Sequence, residues 1–254
     1  CPNILAHSRL ATLDLSLTVF FFITLFYYRR AVINGGWFNA FLSGMFALLT
    51  INAKYTGLLL FPILCILNIF LFHMNKKIIK PNFPARHSWK ILLFVLCFSF
   101  FMINAEYGFR GSFGSIKTYR NSLPENQQNL TESIIPKSVS KIPILSSLPL
   151  PVPYGYLRGL DLTIYYDLKV NHPNWYLGKL YMNGEHWGHY YFTAMALKLP
   201  AASLIIILFT LYGCVFVFKQ PGKMEMICFL FIPSSIIFLL FSFICHSQLG
   251  LRLI

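Results

Sequence analysis

Long apolar runs broken by short polar turns dominate the chain. A helix needs roughly 17–25 mostly apolar residues to cross the hydrocarbon of a bilayer. Six stretches come close to that length: Leu10–Tyr28, Trp37–Ala53, Tyr55–Phe72, Trp89–Asn104, Ala201–Phe218 and Met224–Cys245. The second and third are almost continuous, which predicts a tight hairpin at Asn52-Ala53-Lys54. The pattern therefore predicts an all-α membrane protein, a multi-pass transmembrane helix bundle of about six helices. Residues 1–104 hold the first four helices. Residues 105–200 are too long for a simple connector and form one large loop. Residues 201–254 hold the last two helices and the start of the next exterior segment. Within the loop, Leu148–Tyr156 (LPLPVPYGY) is Pro-rich and predicts extended chain. Leu160–Leu168 predicts a short helix lying on the membrane. No internal repeat is visible, which weakens a transporter built from inverted halves.

The Lys and Arg residues of short loops orient such a bundle. Arg29 and Arg30 follow the first span, Lys76, Lys77, Lys80 and Arg86 follow the third, and Lys219 and Lys223 flank the turn between the last two. The opposite short segments hold only Arg9, Lys54 and Arg252. Segments 29–36, 73–88 and 219–223 are thus expected in the cytoplasm and the large loop outside it, in a multi-pass cell-membrane protein.

Composition agrees. Hydrophobic residues make up 56% and charged residues 11% of the chain, against roughly 25% charged in globular domains. The net charge of +13 does not argue for nucleic acid, because the basic residues fall between apolar runs and form no single patch. Five of the six cysteines lie in or at the end of apolar runs and none forms a CxxC pair, so neither a metal site nor a disulfide framework is indicated. The chain starts at Cys1 and stops at Ile254 inside an apolar pattern. It reads as a fragment lacking both termini.

Candidate chemistry gathers at the predicted outer ends of the helices. Asp14 stands about one turn inside the first span, where a carboxylate costs a few kcal/mol unless it is paired or faces water. It either caps the helix or serves a site, and Arg9 is near enough in sequence to pair with it. Lys54 and Tyr55 occupy the hairpin turn. Lys54 either snorkels to the interface or binds a phosphate as a point charge. Glu106 opens the large loop as an interfacial acid or a weaker catalytic candidate, while Asp161, Asp167 and Glu185 read as surface acids. His186 and His189 are spaced to share a helix face without a third metal ligand at hand. The segment from His186 to Phe192 reads as an aromatic interfacial belt or, with His189, Tyr190 and Lys198, as a pocket for a lipid-linked phosphate. Asn129-Leu130-Thr131 is a glycosylation sequon. Nucleophile elbows, P-loops and dinucleotide fingerprints are absent.

Several segments resemble one family. Ser8-Arg9-Leu10-Ala11-Thr12-Leu13-Asp14 resembles the SRxxxxD stretch of protein O-mannosyltransferases and their bacterial relatives. Ala53–Leu60 is similar to that family's TKYTALLL hairpin, and Tyr156-Leu157-Arg158-Gly159-Leu160 to its YLxGL segment. His172–Gly178 fits its HPxxxLG loop, Trp187–Pro200 its WxYYFxxALxxKxP signature, and Gly250-Leu251-Arg252 the start of GLRYxLP. Together these resemble the GT-C integral-membrane glycosyltransferases of the family 39 type, which include aminoarabinose transferase-like enzymes. The resemblance implies transfer of a sugar from a polyprenyl-phosphate carrier to an extracytoplasmic protein or glycolipid acceptor, with inversion. A carboxylate would take the acceptor's proton, and basic residues would stabilise the departing phosphate. The family's principal catalytic acid lies upstream of the SRxxxxD motif, before residue 1 here. The resemblance thus implies supporting roles for Asp14 and Arg9, and donor-phosphate roles for Lys54, Tyr55, Arg158, His189, Tyr190 and Lys198. No cofactor is firmly implied, and a divalent metal stays open. The alternatives are a multi-pass lipid or solute transporter or flippase, and a non-catalytic membrane scaffold.

Overall fold

A computed structural model describes residues 13–75, 85–122, 147, 149–169, 174–182, 187–217 and 224–243. Arg9, Asn129, Glu185, His186 and the basic residues at 76–80, 219 and 223 lie outside the described residues. The described chain is mostly helical, with one two-stranded sheet.

Helix α1 (Leu13–Asn34) and helix α2 (Trp37–Ala53) form a hairpin with the most extensive helix contact among the described residues. Gly35 and Gly36 make the turn at φ of 74° and 105°, a backbone region that only glycine enters freely. Helix α1 therefore continues beyond its predicted end at Tyr28. Arg29 and Arg30, expected in a loop, lie on the helix, because Arg is a good helix former and the first turn signal is the glycine pair. A 3₁₀ turn at Tyr55–Leu59 leads into helix α3 (Leu60–Asn75). Gly57 lets this turn approach α2: a Cβ there would strike the Thr50 carbonyl oxygen. Helix α4 (Ala85–Glu106) packs against α2 and α3.

Among the described residues, three helical stretches are long and apolar enough to cross a membrane: Leu13–Asn34, Tyr55–Phe72 and His87–Glu106. Trp37–Ala53, Ala201–Gly213 and Cys228–Phe243 are shorter apolar helices. Packing between these helices uses small and polar residues, the pattern expected where lipid removes the hydrophobic gain of helix association. Thr24, Ser43, Thr50, Asn68 and Ser99 are buried. The Ser43 hydroxyl donates to the Thr24 carbonyl at 3.3 Å, and Ser99 to the Gly44 carbonyl at 3.3 Å. Asn68 donates to the Tyr28 hydroxyl, tying α3 to α1.

The segment between α4 and the last helices carries its own structure. Helix α5 (Ile116–Ser122) and helix α6 (Tyr154–Lys169) pack around Tyr119, Tyr154 and Leu157. Helix α6 is longer than the predicted Leu160–Leu168 and starts within the segment expected to be extended. Strands β1 (Asn174–Tyr176) and β2 (Lys179–Tyr181) form an antiparallel hairpin that an all-α reading omits. Helix α7 (Tyr190–Lys198) precedes α8 (Ala201–Val217), and α9 (Met224–Phe243) follows. Helix α9 packs on α3 and runs antiparallel to α1. Its Phe229 meets Tyr28 at a ring separation of 6.3 Å, while Phe238 and Phe241 lie at the opposite end, against Tyr190 and Tyr191.

Candidate functional site

An apolar cavity of about 640 Å³ lies between α1, the Tyr55–Leu59 turn and α9. It runs along α1 from Asp14 to Arg29, roughly 22 Å at the rise of an α-helix. Phe21, Phe22, Leu25 and Phe26 from α1 face Phe229, Ile237 and Phe241 from α9 across it. Met195 of α7 also lines it. Pro233 sits on the α9 wall, where it has no N–H to offer the Phe229 carbonyl.

Charge appears at the two ends of this apolar space. At one end the Lys54 ammonium meets the Asp14 carboxylate, Nζ to Oδ1 at 2.8 Å. Their side chains keep 32% and 23% of their accessible surface, so the pair is neither dry nor freely solvated. The geometry has a local cause. Lys54 is the single extended residue between α2 and the 3₁₀ turn, at φ −162° and ψ 143°, which releases it from both helices. Asp14 sits in the first turn of α1, where a carboxylate complements the helix dipole. Pairing removes the cost of presenting either charge alone to an apolar cavity. Beside them the Thr56 hydroxyl oxygen is buried and lines the cavity, with no hydrogen-bond partner among the described residues.

A second acid stands at the same end. Asn52 donates its side-chain amide to both Glu106 carboxylate oxygens, at 2.9 Å and 2.7 Å. Residues 52 and 54 thus hold one carboxylate each. Asn104 nearby donates to the Pro151 carbonyl at 2.8 Å, fixing the start of the outer layer to α4.

The structure distributes the other candidates. Tyr55 is not in the cavity wall; its ring stands 5.2 Å from Tyr156, and its hydroxyl fills the space a Cβ at Gly159 would need. Arg158 is exposed on α6. Asp161, expected at the surface, is buried, next to Tyr119. Burial pushes the Tyr119 hydroxyl up to about 12, with the Asp161 carboxylate adding to the rise and Arg158 opposing it. Burial, then the neighbouring Tyr55 and Tyr107, raises Tyr156 as well. His189 and Tyr190 belong to an aromatic cluster in which Tyr176 stacks on Trp187 at 4.8 Å and meets His189 at 5.7 Å. Lys198 is exposed at the end of α7. No group of three or more metal-ligating side chains occurs among the described residues.

Sequence reasoning singled out Asp14 and Lys54 separately but paired Asp14 with Arg9. It missed Asn52, Thr56, Met195 and the α9 wall. Only the nearness of Asn52 and Thr56 to Lys54 in sequence signals them. Comparison of the chain with known families, curated proteins and solved structures finds no match.

Proposed function

We propose that this chain is a membrane glycosyltransferase that moves a sugar from a polyprenyl-phosphate carrier to an extracytoplasmic acceptor, with inversion at the anomeric carbon. The observation that carries this reading is the Lys54–Asp14 pair at one end of a long apolar cavity. An amphiphile with an anionic head and an apolar tail has the matching polarity. Its tail occupies the cavity or the adjoining lipid, and its phosphate meets Lys54 and the Thr56 hydroxyl. Arg29 and Arg30 lie near the opposite end of α1, and under the positive-inside rule this supports an extracytoplasmic Lys54 end.

The chemistry then follows from charge. The acceptor attacks the anomeric carbon from the face opposite the phosphate. The C–O bond to phosphate breaks, and its electrons leave on the phosphate oxygen. Lys54 neutralises that developing charge. Asp14 holds the ammonium in place and balances it until phosphate arrives, a positioning role. The family resemblance implies that the acceptor's proton goes to a carboxylate other than Asp14.

The length of the cavity supports a second reading, a lipid flippase, since the cavity follows most of α1. Proteoliposomes loaded with radiolabelled polyprenyl-phosphate sugar and acceptor separate the two. The transferase reading expects labelled acceptor that disappears in Lys54→Met. Movement of the carrier between leaflets without labelled acceptor would replace it with the flippase.

A further inference from the structure

The β1–β2 hairpin has an apolar exterior that no packing among the described residues explains. Its turn, Leu177-Gly178, takes positive φ at both residues, 47° and 79°. This is the two-residue turn that suits the twist of an antiparallel hairpin. Gly178 enters this region freely, whereas Leu177 is a γ-branched apolar residue placed at the very tip. Leu177 is 67% exposed, Leu180 45% and Met182 64%. Three large apolar side chains within six residues therefore point away from the protein.

The other side of the hairpin is firmly held. Tyr176 stacks on Trp187, and Tyr181 meets Trp187 edge-on at 4.7 Å. The Tyr176 and Thr193 hydroxyls are 3.2 Å apart. Tyr190, Tyr191 and Ala194 continue this cluster onto Phe238 and Phe241 of α9. The hairpin thus sits where apolar helix α9 ends and apolar helix α8 begins. Helix α8 exposes most of its apolar side chains, including Ile206, Leu208 and Phe209. Leu197 of α7, which precedes α8 in the chain, is 71% exposed. Lys179 and Lys198 are also exposed.

We propose that the β1–β2 hairpin is a lipid-surface anchor, with Leu177, Leu180 and Met182 entering the boundary between headgroups and acyl chains at the Lys54 end. The partner is the bilayer itself. Like the outward-facing side chains of α8, the hairpin surface is apolar and exposed; Tyr and Trp rings back it as at membrane interfaces, and the exposed Lys179 suits anionic headgroups. The anchor would hold the aromatic cluster and Met195 at a fixed height over the cavity mouth. It depends on the membrane reading and stands whether or not sugar is transferred.

The test uses the full chain in nanodiscs containing a phosphatidylcholine analogue with a diazirine near the acyl carbonyl. Illumination is followed by mass-spectrometric mapping of the adducts. The expected result is adducts on Leu177, Leu180 or Met182 at a yield comparable to α8. Leu177→Asp with Leu180→Asp should lower hairpin labelling several-fold and leave α8 labelling unchanged, which also reports retained folding. A share of phosphatidylglycerol should raise hairpin labelling. Labelled α8 with an unlabelled hairpin overturns the proposal. Cross-linking of the hairpin to a second copy or to another protein, in place of lipid, also overturns it.

Discussion

Two carboxylates flank one turn, and they are held in different ways. Asp14 borders an apolar cavity and is met by an ammonium. Glu106 lies outside the cavity wall and is met by a neutral amide through both oxygens. Both partners come from the segment Asn52-Ala53-Lys54. The ammonium–carboxylate pair is exchangeable: an incoming phosphate can replace Asp14 at Lys54, because one anion substitutes for another. The Asn52–Glu106 pair offers no cation to an anionic ligand, and the two hydrogen bonds from Asn52 Nδ2 join the ends of α2 and α4. The first pair has the properties of a site and the second those of a clasp.

Mutations can break this contrast. The largest effect is expected from Lys54→Met, which on the proposed function removes the charge facing the departing phosphate. Donor substrate labelled in the sugar should show transfer reduced about 10²–10³-fold. Asp14→Asn keeps the shape but lets the ammonium wander, with a loss of about 10²-fold, since small misplacements cost that much. Because Asp14 acts through Lys54, the double variant should be no worse than Lys54→Met alone. An additive loss would mean that Asp14 has a separate contact with substrate. Gly57→Ala acts on folding: its Cβ meets the Thr50 carbonyl, and overpacking of this kind costs about 1–3 kcal/mol. Thermal unfolding in detergent should register it as a lowered midpoint. Glu106→Gln should change transfer by less than about tenfold, because an exposed clasp contributes little.

The outer layer supplies the smallest effect. Tyr119 holds its proton to about 12, above the ordinary tyrosine value of about 10. The raised value favours the folded state while the phenol is protonated. That contribution is complete below about pH 10 and is lost as pH rises through the folded value. Ultraviolet phenolate absorbance should show a delayed class of tyrosines that includes Tyr119 and Tyr156, smaller by one in Tyr119→Phe.

What the sequence made legible follows from physics that acts locally. Helix α2 was bounded at Trp37 and Ala53 because glycines and a lysine punctuate an apolar run. Helix α8 has the same length but a different fate. Its Ile205–Leu208 stretch carries bulky aliphatic side chains that face outward, whereas α2 places Ala40, Ser43, Gly44 and Ala47 on its buried face. That difference in residue size can be read from sequence. The Asp14–Lys54 contact cannot, since a separation of 40 residues has no periodic signature. The α9 wall was hidden because apolar residues surround that helix on every side. The hairpin escaped notice because Leu-Gly is a weak turn signal beside Asn-Gly or Asp-Gly. Asp161 looked like a surface acid because its burial comes from tertiary packing beside Tyr119, which local sequence does not signal.

The central claim is that Lys54 receives the phosphate of a lipid carrier. Binding of polyprenyl phosphate and of the uncharged polyprenol to the wild-type chain and to Lys54→Met tests it most directly. The account predicts that the variant loses about tenfold or more in affinity for the phosphate, in line with a charge-assisted contact of about 1.5–3 kcal/mol, and binds the alcohol as before. Equal affinity of both chains for the phosphate would contradict it.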